Sequence, residues 1–134
     1  MSKYYNQSFC ETNNNYSVII DDDGDVAYGY LIEDEKIIGD VWLYNQGVTP
    51  ISADWVNGKK IPFLNPLDFI IENIKPINNN NEIRFVWYLS NDTMSLYKVE
   101  IYIRDKSIAY MIPGSKPGWS AVVYKDGPLA KRWK

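Results

Sequence analysis

The sequence predicts an α+β domain that is mainly antiparallel β, with six or seven strands in two meanders and one short helix around residues 66–74. Three observations predict it. Apolar residues alternate with a period of two in several runs, short clusters of turn-forming residues separate those runs, and only one run shows a helical repeat. A sheet of this length can curl into a half-barrel, with the helix packed on one face.

Residues 1–15 read as a polar N-terminal arm ending in Asn13-Asn14-Asn15. Tyr16 to Ile20 is the first expected strand. Asp21 to Asp25 follow as a tight turn in which Asp23-Gly24 supplies the positive-φ positions. Val26 to Ile32 alternates, with Val26, Tyr28, Tyr30 and Ile32 on one face and Ala27, Gly29 and Leu31 on the other. After a turn at Glu33 to Lys36, Ile37 to Tyr44 forms a third strand. The connection over residues 45–81 is punctuated by Gly47, Pro50, Gly58, Pro62, Pro66 and Pro76. Within it Asn65 can cap a helix and Pro66 suits the first turn. Leu67, Ile70, Ile71 and Ile74 recur at helical spacing until Pro76 ends the run.

A second meander is expected from Ile83 to Leu89, Met94 to Arg104 and Ser107 to Ile112, with turns at Ser90–Thr93 and Asp105-Lys106. Pro113 to Gly118 is a rigid loop, Trp119 to Tyr124 a last short strand, and Lys131 to Lys134 a basic tail. The 134 residues suit a single domain, and 46% hydrophobic and 15% aromatic content supplies a packed core without a disulfide or metal staple.

Composition narrows function by exclusion. Histidine is absent, which removes the usual base of a serine or cysteine nucleophile and the commonest transition-metal ligand. A single cysteine, Cys10, forms neither an intrachain disulfide nor a thiolate zinc site. No glycine-rich phosphate loop is present. The acidic run at Asp21–Asp25 fails as a calcium loop: with Gly24 in the turn position, the first ligand falls on Ile19 and the closing glutamate on Tyr30. No catalytic residue, metal or cofactor is therefore expected. The net charge of −3 disfavours nucleic acid as a partner; it suits solubility in general, and it would also steer the chain toward a basic protein partner through long-range attraction. No run approaches the ~20 apolar residues of a membrane span, and the opening segment is polar, so neither a membrane partner nor a secretory leader is expected and a cytoplasmic location is.

Eleven tyrosines and five tryptophans either fill a sheet core or decorate a recognition surface, where such residues anchor protein interfaces. Asp40 stands out because it interrupts an apolar strand beside Trp42, where a carboxyl is perturbed by burial. With Asp40, the expected partner-binding residues are Trp42, Tyr44, Trp119, Asp126, Asp22 and Asp25.

The short acidic chain, the aromatic strand Asp40-Val41-Trp42-Leu43-Tyr44 and the segment Pro117-Gly118-Trp119-Ser120 resemble, in type, the small bacterial immunity proteins of contact-dependent inhibition and other polymorphic toxin systems. The resemblance implies a non-catalytic protein that binds a cognate, basic toxin domain and occludes its active site. A second reading, from another class, is a small-ligand-binding or enzymatic β-domain. Its aromatic pocket would be lined by Trp42, Tyr44 and Trp87, with Asp40 as the acidic group.

Overall fold

In the computed structural model, residues 2–47, 64, 65 and 67–133 are described, and they form nine strands in two sheets. The first sheet is the meander β1 (Tyr4–Phe9), β2 (Tyr16–Asp22), β3 (Val26–Glu33) and β4 (Lys36–Asn45), antiparallel throughout. The second contains β5 (Ile83–Leu89), β6 (Leu96–Ile103), β7 (Lys106–Met111), β8 (Trp119–Ser120) and β9 (Lys131–Arg132). Only the β8–β9 pair is parallel.

Local chemistry places the hairpins. In the β2–β3 turn, Asp22 Oδ1 accepts from the Gly24 N–H at 2.9 Å, and Asp23 Oδ1 accepts from the Asp25 and Val26 N–H groups. Gly24 takes φ +96°, which a side chain would resist. The β3–β4 and β6–β7 turns put pairs of non-glycine residues, Asp34-Glu35 and Arg104-Asp105, at positive φ. Two-residue hairpins need that geometry to match strand twist.

The sheets pack face to face. Val18, Ile20, Leu31 and Val41 from the first meet Val99, Ile101 and Met111 from the second in one buried cluster. Each such side chain contributes about 1.5–3 kcal/mol by leaving water. Gly29 permits the close approach, since a Cβ there would stand 2.9 Å from Ile101 Cδ1. On one side the sandwich is stitched shut along β4. Gly114 N donates to Ile38 O at 2.7 Å, Asp40 N to Ser115 O at 3.0 Å, Gly118 N to Asp40 O at 2.6 Å and Trp42 N to Leu129 O at 3.0 Å. The loop read as rigid from its prolines and glycines is therefore the seam between the sheets.

Several expectations change, and nine strands stand where six or seven were expected. The segment read as a polar arm contributes β1, whose pairing with β2 runs from Tyr4↔Asp22 to Phe9↔Ser17. The helix at 66–74 is reduced to one 3-10 turn at Leu67–Phe69, Pro66 lying outside the described residues. The reason is competition for backbone hydrogen bonds. Ile71 N donates to Val122 O, Tyr124 N donates to Phe69 O, and Ile70 bridges Val123, so the chain there extends along residues 122–124. Ile70, Ile74 and Ile77 are buried there, while Leu67 and Ile71 stay exposed. Among the described residues no helix plugs a half-barrel; sheet packs on sheet. The expected strand at 119–124 shortens to β8, and part of the basic tail becomes β9. Among the described residues no helix is long and apolar enough to cross a membrane.

Candidate functional site

The outer face of the first sheet follows from strand alternation and register. Three cross-strand rows run over it: Tyr5–Asp21–Tyr28–Trp42, Gln7–Ile19–Tyr30–Asp40 and Phe9–Ser17–Ile32–Ile37. Tyr5, Phe9 and Ile37 are 62%, 56% and 51% exposed, a large apolar display for one sheet face. Tyr30, Ile19, Asp21 and Asp40 are half-buried among them, and Tyr28 stacks on Tyr30 at 6.1 Å.

This face is electrostatically tense. Burial pushes the Tyr30 phenol up to about 12, with Asp21, Asp40 and Asp23 adding to the shift. Burial raises the Asp40 carboxyl, opposed by Lys116, and it raises Asp21, reinforced by Asp23 and Asp22. Each carboxylate is thus held where its charge is poorly solvated, a condition that an incoming cation relieves. At one end of the face a recess of about 240 Å³ is lined by Gln7, Phe9, Ser17, Ile32, Asp34 and Glu35. The arrangement presents apolar surface interrupted by carboxylates, which suits lysine and arginine side chains with their apolar stems and cationic ends.

A titration tests this electrostatic description. The Tyr30 phenol loses its proton in the unfolded chain near 10 and in the folded protein near 12. Between those values the unfolded state binds fewer protons, so stability falls as pH rises through that window. In a Tyr30→Phe variant the part of the alkaline stability loss due to this residue is expected to vanish; an unchanged pH profile would contradict the buried, acid-flanked phenol.

Of the residues expected from sequence to bind a partner, the structure keeps Asp40 half-buried on this face and buries others. Trp42 and Tyr44 are 0% exposed and Asp22 is 1% exposed, which corrects their assignment as contact residues. The Trp42 indole Nε1 donates to Asn45 Oδ1 at 2.8 Å. Asn45 Nδ2 donates to Asn65 O at 2.8 Å, and the Asn45 N–H donates to Asn73 Oδ1. Tyr44 Oη donates to Asp22 Oδ2 at 2.7 Å and accepts from the Ile77 N–H at 3.0 Å. These bonds tie β4 to the segment over residues 65–77, so β4 is covered on both faces.

Trp119 lies on the outer face of the second sheet, in the row Val86–Glu100–Tyr110–Trp119–Lys131. It stacks on Tyr110 at 4.7 Å, with Lys131 Nζ 4.8 Å from its ring centre. Lys98 sits over Tyr110, and Trp133 meets Tyr110 edge-on. The aromatic surfaces there are engaged within the chain. Beneath them Glu100 is buried and accepts from Tyr88 Oη and from Ser107 Oγ. That hydrogen bond, before any other cause, pushes the Tyr88 phenol up to about 12. Asp126 and Asp25 are exposed, with structural roles as well: Asp126 Oδ1 accepts from Arg132 N, and Asp25 O accepts from the Gln46 and Gly47 N–H groups.

A second recess, of about 280 Å³, is rimmed by Lys75, Arg104 and Lys106. Two of these cations are already neutralised: Lys106 pairs with Glu72 at 2.9 Å, and Arg104 pairs with Glu82 while donating to the Lys75 and Pro76 carbonyls. The pocket imagined from Trp42, Tyr44, Trp87 and Asp40 does not assemble. Tyr44 shares a row with Asp22 and Ala27 on the core side of the sheet, Trp87 packs against the core from β5, and Asp40 faces outward.

Sequence reasoning missed Tyr30, Ile19, Asp21, Tyr5 and Phe9 as members of the face. The signal for Tyr30 was its place in the alternation of Val26 to Ile32, and its pairing with Asp40 required the register. No family model matches this chain, and no curated protein or solved structure matches it.

Proposed function

We propose that this chain is a non-catalytic immunity protein that binds a basic bacterial toxin domain in the cytoplasm and blocks its active site. The observation that carries the reading is the outer face of the first sheet, where Tyr30 lies between Asp21 and Asp40 amid exposed Tyr5, Phe9 and Ile37. A carboxyl raised by burial in the free protein is a group whose ionised form gains most from a cationic partner. Aromatic anchors beside such acids fit an interface of standard size, about 800 Å² per partner.

The interface test separates anchor from rim. Tyr30→Ala is expected to weaken binding by ~2 kcal/mol or more, about thirtyfold, mainly through faster dissociation. Asp25→Asn and Asp126→Asn are exposed changes expected to slow association by less than tenfold and to flatten its salt dependence. The biological readout is survival of cells making a toxin domain encoded next to this gene. Protection by the wild-type chain that is lost with Tyr30→Ala/Asp40→Asn supports the reading. Absence of protection, or full affinity in that double variant, overturns it.

A further inference from the structure

The two sheets have four outer edges, and three of them are poor templates for another strand. β4 is hydrogen-bonded to the loop at Gly114–Gly118 and to Leu129. β9 has two residues, too few to template another strand. β1 is open, but Asn6, Gln7 and Ser8 at its centre break any apolar run along it. The fourth edge is different. β5 reads Ile-Arg-Phe-Val-Trp-Tyr-Leu over seven residues, with no proline and no lysine, and one charge. Among the described residues no strand pairs with its outer side.

The phase of β5 follows from one bond. The Arg104 N–H donates to Glu82 O at 2.7 Å, so residue 82 and the even positions after it direct their backbone groups toward β6. Ile83, Phe85, Trp87 and Leu89 direct theirs to the free edge. On the core side Phe85, Trp87 and Leu89 are half-buried and packed against the cluster; on the outer side lie Arg84, Val86 and Tyr88.

We propose that β5 pairs with β5 of a second copy of this chain, antiparallel about a twofold axis at Val86, joining two five-stranded sheets into one. In that register Phe85 faces the partner copy's tryptophan at position 87, Ile83 faces its leucine at 89, and Arg84 faces its tyrosine at 88. Every cross-strand pair is then apolar with apolar or cation with aromatic, and no like charges meet. The backbone phase agrees, because the hydrogen-bonded pairs fall on the odd positions whose groups point outward. Two bonds per such pair make roughly eight across the axis. The register is self-complementary, as a twofold interface requires. The inference stands apart from the proposed function, since it uses the opposite sheet and a different surface.

Sedimentation of the whole chain over a wide concentration range is the first test, with a dimer expected for wild type and a monomer for Val86→Lys, which sets two like charges together on the axis. Val86→Cys is the second, because non-hydrogen-bonded partners hold their Cβ atoms within disulfide reach. It is expected to form a covalent dimer under mild oxidation, whereas Tyr97→Cys, exposed but away from the edge, should not; the native Cys10 is buried. A wild-type chain that stays monomeric, a dimer that survives Val86→Lys, or equal cross-linking from both cysteine variants would each overturn the proposal.

Discussion

Replacing Trp42 by alanine is expected to cost about 3–5 kcal/mol, a large part of the 5–15 kcal/mol that holds a domain of this kind together. The side chain is fully buried, and its indole N–H is held by Asn45, whose amide in turn fastens Asn65. Truncation opens a cavity where β4 is covered on both sides. It also removes a donor from Asn45 Oδ1, which still accepts from the Asn65 N–H at 3.0 Å. Urea denaturation should show the midpoint falling with little change in slope, and Tm should drop by roughly 10 °C or more. A loss below ~1 kcal/mol would mean that Trp42 is free to act as the exposed anchor its sequence context suggested.

The second large effect belongs to Asp22 and Tyr44. Three donors converge on the Asp22 carboxylate: Tyr44 Oη at 2.7 Å, Gln46 Nε2 at 2.6 Å and Gly24 N at 2.9 Å. Asp22→Ala strands all three, two of them beside the core, and is expected to cost about 2–4 kcal/mol. Tyr44→Phe removes one link of the chain from Ile77 N through Tyr44 Oη to Asp22 and is expected to cost about 1–2 kcal/mol. Because both changes break one network, the double variant should lose less than the sum, with a coupling on the order of 1 kcal/mol. Strictly additive losses would show that the two groups act separately. Tyr44 lies on the core side of the sheet, so Tyr44→Phe should leave binding at the proposed face unchanged under conditions where it remains folded.

Much of the fold was legible from short-range pattern. β2, β3, β4 and β5 begin and end within a residue or two of the runs that alternation marks, because one buried sheet face imposes a period of two on the chain. Where the pattern misled, the physical cause differs in each case. β1 reads as polar because its one inward side, Tyr4, Asn6 and Ser8, is only half-buried, so no apolar stripe reveals it. The 66–74 run has isoleucines at a spacing that serves a helix or an extended chain passing over a core, and the backbone of residues 122–124 decides for the latter.

Residue chemistry by itself determined that this is a β-rich chain without histidine, and that Asp40 interrupts an apolar strand. Alternation also determined that Asp40 and Trp42 share a face, as do Tyr28 and Tyr30. What only the tertiary structure decided is which of those side chains solvent can reach. Strand periodicity assigns a side but says nothing of what lies against it. β4 is covered on its core side by the second sheet and elsewhere by Leu129 and the 65–77 segment, so Trp42 and Tyr44 vanish from opposite sides of one strand. Two positions before Trp42 that cover ends, and Asp40 emerges half-buried beside Tyr30, at a pairing set by a β3–β4 register with irregularities on either side of it.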